Sequence, residues 1–315
     1  MVSAGSGALL FLAMFFPPAA CSTDGPFISI ASLVDSPRSS ALGGAASAIG
    51  SDPTLAWVNP SSVAGVTSRS LTMGGQRGFI GDVSWSTLGV FPLEGGGGFA
   101  AGFAWYDAGG VTLRPAGAPE KNVGVQKDIL GMVSAAGVSE GIRAGVSAKL
   151  MNSTLLEDYT ANAAAFDAGL SVELGGGFAA GVLARNLSGG IRFEKDDVPL
   201  PSTVQVGLSG QWTGGAYPPD GKEARSRPFG ADRLGVYADA VRDLTRKKTG
   251  WGGGVEYRWS GALSARLGAG RRPESSGTGF TLGLGFEGPR YRLDYSTRLE
   301  ASETAPQLVA LTMVL

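Results

Sequence analysis

The feature that most constrains the fold is a period-two alternation of apolar and polar residues through most of the chain. In one such stretch, Ile142, Val146 and Leu150 fall on one face, while Arg143 and Lys149 fall on the other. This period places alternate side chains on opposite faces of a β-strand. The sequence therefore predicts strands that each have one apolar and one polar face.

The pattern recurs in about fourteen segments, an even number of the kind that bacterial outer-membrane barrels require. They span 69–76, 80–91, 98–107, 127–138, 141–151, 161–174, 177–187, 203–213, 232–242, 250–259, 262–271, 278–287, 290–298 and 306–315. We predict an all-β fold, a transmembrane antiparallel β-barrel of about 14 strands with a short N-terminal helical plug. The barrel would occupy residues 67–315 and the N-terminal segment residues 21–66.

Connection lengths support a barrel. If the N-terminus is periplasmic, the periplasmic connections should be short turns and the outer ones longer loops. Five short connections fall on the periplasmic side: 94–97, 139–140, 175–176, 260–261 and 288–289. The longer ones fall on the outer side: 108–126, 152–160, 188–202, 243–249, 272–277 and 299–305. The short connection 77–79 and the long connection 214–231 break this rule.

The composition excludes several classes of function. The chain has no histidine and one cysteine, which removes histidine-based catalysis, histidine-ligated metals and intrachain disulfides. A net charge of −1 gives no basic surface for nucleic acid. We therefore predict no enzymatic activity, no cofactor and no metal.

Charged residues of both signs lie on the polar strand faces. We expect these side chains to line and fill a polar lumen through hydrogen-bonded networks, because charges facing lipid are costly. The alternative is a path that conducts a substrate, although the mixed signs argue against strong ion selectivity. The residues are Arg143, Lys149, Asp167, Glu173, Arg185, Asp239, Glu256, Arg258, Arg266, Glu287, Arg292 and Asp294.

The first twenty residues are predicted to be a signal peptide. The apolar run from Ala8 to Phe16 suits its core but is too short for a transmembrane helix. Cys21 offers a second interpretation, a lipidated first residue after cleavage, although Pro18 stands where a lipobox usually has Leu.

A segment of small residues precedes the predicted barrel. Ser36 followed by Pro37 predicts a helix start, and the run from Ala41 to Ile49 predicts a short helix rich in Ala and Gly. We expect Gly50–Pro53 to end that helix and Asn59-Pro60 to form a turn or a further helix start. Such a helix needs a wall to pack against.

Residues 36–66 resemble the N-terminal segment of the PorV/PorQ family of outer-membrane proteins, whose barrels are similar to those of the FadL type. The resemblance implies a barrel with this segment tucked into its lumen. The matching residues are Arg38, Gly43, Gly44, Ala45, Asp52, Trp57, Asn59, Pro60 and Ser61.

The resemblance implies a location in the bacterial outer membrane, in contact with its lipid. It also implies an accessory or cargo-binding role in type IX-like protein secretion, with secreted cargo or secretion machinery as partners. The alternative is a FadL-like channel for hydrophobic small molecules. A third hypothesis is a periplasmic β-rich protein with no membrane role.

Overall fold

The computed structural model describes residues 30–78, 82–114, 119–187, 190–193, 196–214, 232–259, 262–275, 277–299 and 305–315. The predicted signal peptide, Cys21 and the connection 215–231 lie outside the described residues. Among the described residues, fourteen strands close into an antiparallel barrel, which confirms the predicted fold.

The strands follow one another around the barrel in chain order, and β1 pairs with β18 to close it. Two short hairpins, β4–β5 and β10–β11, form separate two-stranded sheets. The strands are β1 (Ser70–Arg77), β2 (Val83–Pro92), β3 (Gly98–Asp107), β4 (Gly110–Leu113), β5 (Lys121–Gly124), β6 (Gln126–Ser139), β7 (Ile142–Leu155), β8 (Tyr159–Gly175), β9 (Phe178–Leu187), β10 (Gly190–Phe193), β11 (Asp196–Pro199), β12 (Thr203–Gly214), β13 (Asp232–Asp243), β14 (Thr249–Trp259), β15 (Leu263–Arg271), β16 (Gly279–Glu287), β17 (Tyr291–Leu299) and β18 (Gln307–Val314).

The barrel has two distinguishable ends. At one end, which we call the turn end, β6 and β7 are joined by Glu140-Gly141 and β8 and β9 by Gly176-Gly177. The opposite end, the loop end, carries the longer connections. The predicted loop at 152–160 is wrong in its length. Both β7 and β8 extend into it, so that only the turn 156–158 connects them. The two strands stay paired as far as Leu155 and Tyr159, and Asn152 Nδ2 donates a side-chain hydrogen bond to Asn162 Oδ1 at 2.9 Å.

The two faces of the strands are as predicted. The side chains of Val146 and Leu150 are 60% and 69% exposed on the outside, whereas Lys149 is 2% exposed on the inside. Aromatic pairs occur near both ends, with Trp85 opposite Trp105 and Phe91 opposite Phe99. An apolar outer surface with aromatic residues near its rims is typical of a membrane-spanning barrel. No helix in the described ranges is long and apolar enough to cross a membrane.

The segment before β1 is mostly irregular. It contains short α-helices at Ile30–Leu33 and Pro37–Ala41 and 3₁₀ helices at Pro53–Trp57 and Pro60–Gly65. The predicted helix through Ile49 is therefore too long.

The reason for this early end lies in two glycines. Gly43 and Gly44 adopt φ of +72° and +95°, which right-handed helices do not permit. Ser36 precedes the helix as predicted, but its hydroxyl contacts the Thr54 hydroxyl at 2.6 Å instead of capping the helix backbone. Asp52 and Asn59 accept hydrogen bonds from Thr54 N and Ser61 N and so begin the two 3₁₀ helices.

Candidate functional site

Residues 30–66, which we call the plug, lie inside the barrel and contact several of its walls. At the start of the plug, Ile30 N donates to Asp128 Oδ2 of β6 at 3.2 Å. Farther along, Ala46 N and Ser47 N donate to Asp239 Oδ2 of β13 at 3.0 and 2.9 Å. The plug therefore crosses the lumen rather than lying along one strand.

The strongest link between plug and wall starts at Arg38. Its Nε and Nη2 donate to the two carboxylate oxygens of Glu256 in β14, both at 2.8 Å. Glu256 Oε2 also accepts from Arg266 Nε of β15 at 2.7 Å. Two arginines, one from the plug and one from the wall, thus share one buried carboxylate.

The same chain of contacts returns to the plug through β17. Arg266 Nη1 donates to Asp294 Oδ1 at 2.7 Å, and Arg292 Nε donates to Asp294 Oδ2 at 2.5 Å. Arg292 Nη2 then donates to Asp52 Oδ2 at 2.6 Å, and Arg38 Nη1 approaches the same oxygen at 3.4 Å. These contacts close a ring of alternating charges, the charge ring, formed by Arg38, Asp52, Arg292, Asp294, Arg266 and Glu256.

The charge ring is electrically balanced and buried. Three guanidinium groups alternate with three carboxylates, and the side chain of Asp52 is fully buried. Burial by itself would raise the pKa of Asp52, but Arg292 and Arg38 lower that pKa to about 2. Asp52 is therefore ionised at neutral pH. A buried ion pair is costly to break because removing one partner leaves an uncompensated charge.

Glycines on the inner face of the barrel allow the plug backbone to approach the wall. A Cβ on Gly252 would lie 2.2 Å from the carbonyl oxygen of Gly43, and one on Gly181 would lie 1.9 Å from that of Ser47. A Cβ on Gly43 itself would lie 2.2 Å from the carbonyl oxygen of Ala269. With the plug in this position, these distances exclude a side chain at each of these glycines. This explains part of the high glycine content of the chain, 51 of 315 residues.

Other residues of the plug motif also have defined contacts. Asn59 Nδ2 donates to the carbonyl oxygens of Ala46 and Ser47 at 3.0 and 3.2 Å, which ties two parts of the plug together. Trp57 is buried against Gly102 of β3, where a Cβ would lie 2.6 Å from the indole ring.

Most of the remaining predicted lumenal charges form pairs outside the charge ring, and Arg258 lies beside the ring, 3.9 Å from Glu256 Oε1. Lys149 Nζ and Asp167 Oδ2 form a buried pair at 2.5 Å, and Arg143 pairs with Glu173 near the turn end. Arg258 pairs with Glu287 at 3.0 Å.

Arg185 differs from those residues, because its Nε and Nη2 are buried with no hydrogen-bond partner in the described part of the chain. The structure thus brings four of the predicted lumenal charges together with Arg38 and Asp52 of the plug motif in one cluster, and it leaves the other lumenal charges in pairs or apart.

The opposite side of the lumen carries a cluster of apolar side chains, which the sequence analysis did not predict. Leu130 and Met132 of β6 are buried on the inside, while Ile129 and Val133 of the same strand are exposed on the outside. The sequence does carry a signal for it. In this part of β6 the residues on both faces are apolar, so the polar positions of the period-two alternation are missing. The lumenal apolar cluster is completed by Leu88, Val90, Tyr106 and Met151, which pack with Ile30, Trp57 and Ile191.

Comparisons with solved structures identify barrels of the same architecture. The Pseudomonas putida toluene transporter TodX aligns over 88% of this chain and 95% of its own, with 11% identity and a TM-score of 0.56. A TodX deltaS2S3 mutant, described as a monoaromatic hydrocarbon channel, aligns over 88% and 98% with 12% identity and a TM-score of 0.58. A Pseudomonas aeruginosa FadL homologue aligns over 93% and 99%, with 12% identity and a TM-score of 0.48.

No protein-family model and no curated protein sequence matches this chain. The likeness to TodX at this identity shows a shared fold. Together with the apolar outer surface and the closed ring of strands, it establishes the chain as a bacterial outer-membrane β-barrel.

Proposed function

We propose that this barrel is a plugged channel for small, predominantly apolar molecules, like the FadL-type channels. The observation that carries the proposal is a strip of apolar side chains on the inner wall of the barrel, which we call the apolar strip. It is formed by Leu88, Tyr106, Leu130, Met132 and Met151. The interior of a water-filled barrel is polar, so a buried apolar strip on the inner face is not expected in a porin. The fold shared with TodX, itself a toluene transporter, supports the same proposal.

The charge ring gives the plug a defined closed position. Its contacts lie on β14, β15 and β17, whereas the apolar strip lies on β2, β3, β6 and β7. A plug that moves away from the apolar strip exposes a path for an apolar solute while the charged side of the lumen stays paired. The proposed channel therefore opens on one side of the lumen.

Uptake of an apolar solute tests this function. Cells that express the chain in an intact outer membrane should take up radiolabelled toluene faster than cells without it, and uptake of arabinose should not change. Leu130→Gln and Met151→Gln should each lower toluene uptake, whereas Lys127→Gln, on an exposed position of β6, should not. Equal toluene uptake with and without the chain would contradict the proposal.

A second candidate is the accessory role in type IX-like secretion, with exported proteins or secretion machinery as partners. It is supported by the resemblance of residues 36–66 to the PorV/PorQ family. The motif residues Arg38, Asp52 and Asn59 all take part in seating the plug. In a host with type IX machinery, deletion of the gene should then leave surface-destined proteins in the periplasm. Normal surface delivery together with lost toluene uptake would favour the channel.

A further inference from the structure

A polar cavity of about 240 Å³ lies between the plug and the turn end of the barrel. We call it the mouth cavity. Among its lining residues, Gln211, Arg233, Arg258 and Glu287 lie near the strand ends at the turn end, and Ser51 lies in the plug. Arg38, Glu256 and Arg292 of the charge ring also line the cavity.

Two arginines face one another across neighbouring strands in this cavity. Arg233 of β13 and Arg258 of β14 are directly opposite in the register. Directly opposed residues in an antiparallel pair bring their Cβ atoms to about 4.5–5.5 Å, and like charges there are destabilising. Two guanidinium groups in this position therefore repel each other unless an anion lies between them.

The carboxylates in the described part of the chain supply too little negative charge for this pair of arginines. Arg258 lies 3.0 Å from Glu287 Oε2 and 3.9 Å from Glu256 Oε1, but no carboxylate among the described residues forms an ion pair with Arg233. Glu256, which also lines the cavity, already accepts hydrogen bonds from Arg38 and Arg266 within the balanced charge ring. Among the described residues, Glu287 is the carboxylate that lines the cavity outside the balanced charge ring, so Arg233 and Arg258 leave an excess of one positive charge there.

We propose that the mouth cavity binds a small oxyanion, a phosphate or a carboxylate group, between Arg233 and Arg258. The planar guanidinium fork donates two parallel hydrogen bonds to such a group. An anion there removes the repulsion between the opposed arginines, and the cavity has room for it together with several waters. This site is separate from the apolar strip, so it stands whether or not the chain conducts apolar solutes.

Titration of the purified barrel tests the site. The full chain is prepared in a maltoside detergent, which contributes no anion, and titrated by calorimetry with inorganic phosphate and, separately, with acetate. We expect saturable binding of at least one of them, and the comparison of the two identifies the preferred anion. Arg233→Gln, which breaks no ion pair among the described residues, should weaken binding by at least tenfold. Arg233→Lys should weaken binding less, because it keeps the charge but loses the fork.

The control is Arg114→Gln, which removes an exposed arginine that pairs with Glu120 at 2.8 Å near the loop end. It should bind the anion as the parent does. Slower migration after boiling than before shows that each variant is folded. Arg258→Gln provides a second variant at the site, and it should also lose binding. Absence of saturable binding of both anions to the folded parent, or equal binding by Arg233→Gln, would overturn the proposal.

Discussion

Arg38 and Glu256, 218 residues apart in the sequence, meet inside the barrel through two hydrogen bonds of 2.8 Å. Arg38 belongs to the plug and Glu256 to the wall strand β14. The paired geometry fixes both the position and the orientation of the guanidinium group. It makes the short helix Pro37–Ala41 the point at which the plug is anchored to the barrel.

Loss of this anchor should loosen the plug. In a Cys21→Ser background, a cysteine placed at Ala45, which is 1% exposed, should resist thiol reagents in the folded protein. Adding Arg38→Gln should make that cysteine react at least tenfold faster, because it leaves Glu256 and Asp52 each short of a partner. Breaking a buried ion pair costs about 3–5 kcal/mol.

The control for this experiment is Arg114→Gln, since an exposed pair contributes about 0–1 kcal/mol. It should leave the labelling rate unchanged. Complete labelling of position 45 in the parent would mean that the plug leaves the lumen in solution, and the anchoring role of Arg38 would then have to be abandoned.

The glycines on the inner face should be as important as the charge ring for keeping the plug in position. Gly252→Ala places a methyl group 2.2 Å from the carbonyl oxygen of Gly43, so the plug must shift. We expect a lower temperature for loss of the compact form on unboiled gels and faster labelling at position 45. Gly131→Ala, whose Cβ would have no neighbour within 4 Å, is the matched control. Equal behaviour of the two variants would show that the plug tolerates displacement at this wall.

A separate prediction concerns the outward face of β7. Val146→Arg should reduce the amount of barrel in the outer-membrane fraction, because an arginine facing lipid near the midplane costs about 2–4 kcal/mol. Val146→Leu should assemble normally. Equal membrane yields for the two variants would show that Val146 does not face lipid.

Much of the barrel was predictable because a strand's period is local. The inward positions of Lys149 and Glu256 follow from alternation alone, and so does the outward position of Val146. The contacts among the inward-facing charges were harder to predict from the sequence. Lys149 lies opposite Ala165 in the register, so its ion pair with Asp167 is diagonal and depends on the exact alignment of β7 and β8.

The path of the plug could not be derived from local rules. The resemblance implied that Arg38 and Asp52 belong to a segment inside the lumen, and both form ion pairs with lumenal charges. It did not indicate which ones, because Gly43 and Gly44 turn the chain through positive φ values instead of continuing a helix. A helix through Ile49 would have separated two residues that the folded plug brings to 3.4 Å.

The last prediction concerns the stability of the folded barrel at acidic pH. The pKa of Asp52 is about 2 in the folded protein, against about 3.9 for an unperturbed aspartate. A lowered folded-state pKa stabilises the protein above the unfolded value, and that stabilisation is lost as the pH falls through the folded value. In non-ionic detergent, the urea midpoint of Asp52→Asn should therefore lie below that of the parent at pH values from about 5 to 7. The difference should shrink as the pH approaches 2, because the parent's carboxylate then becomes neutral as well. Asp158→Asn, in the exposed turn between β7 and β8, should match the parent throughout. A gap between Asp52→Asn and the parent that does not change with pH would show that the ionised form of Asp52 does not hold the plug in place.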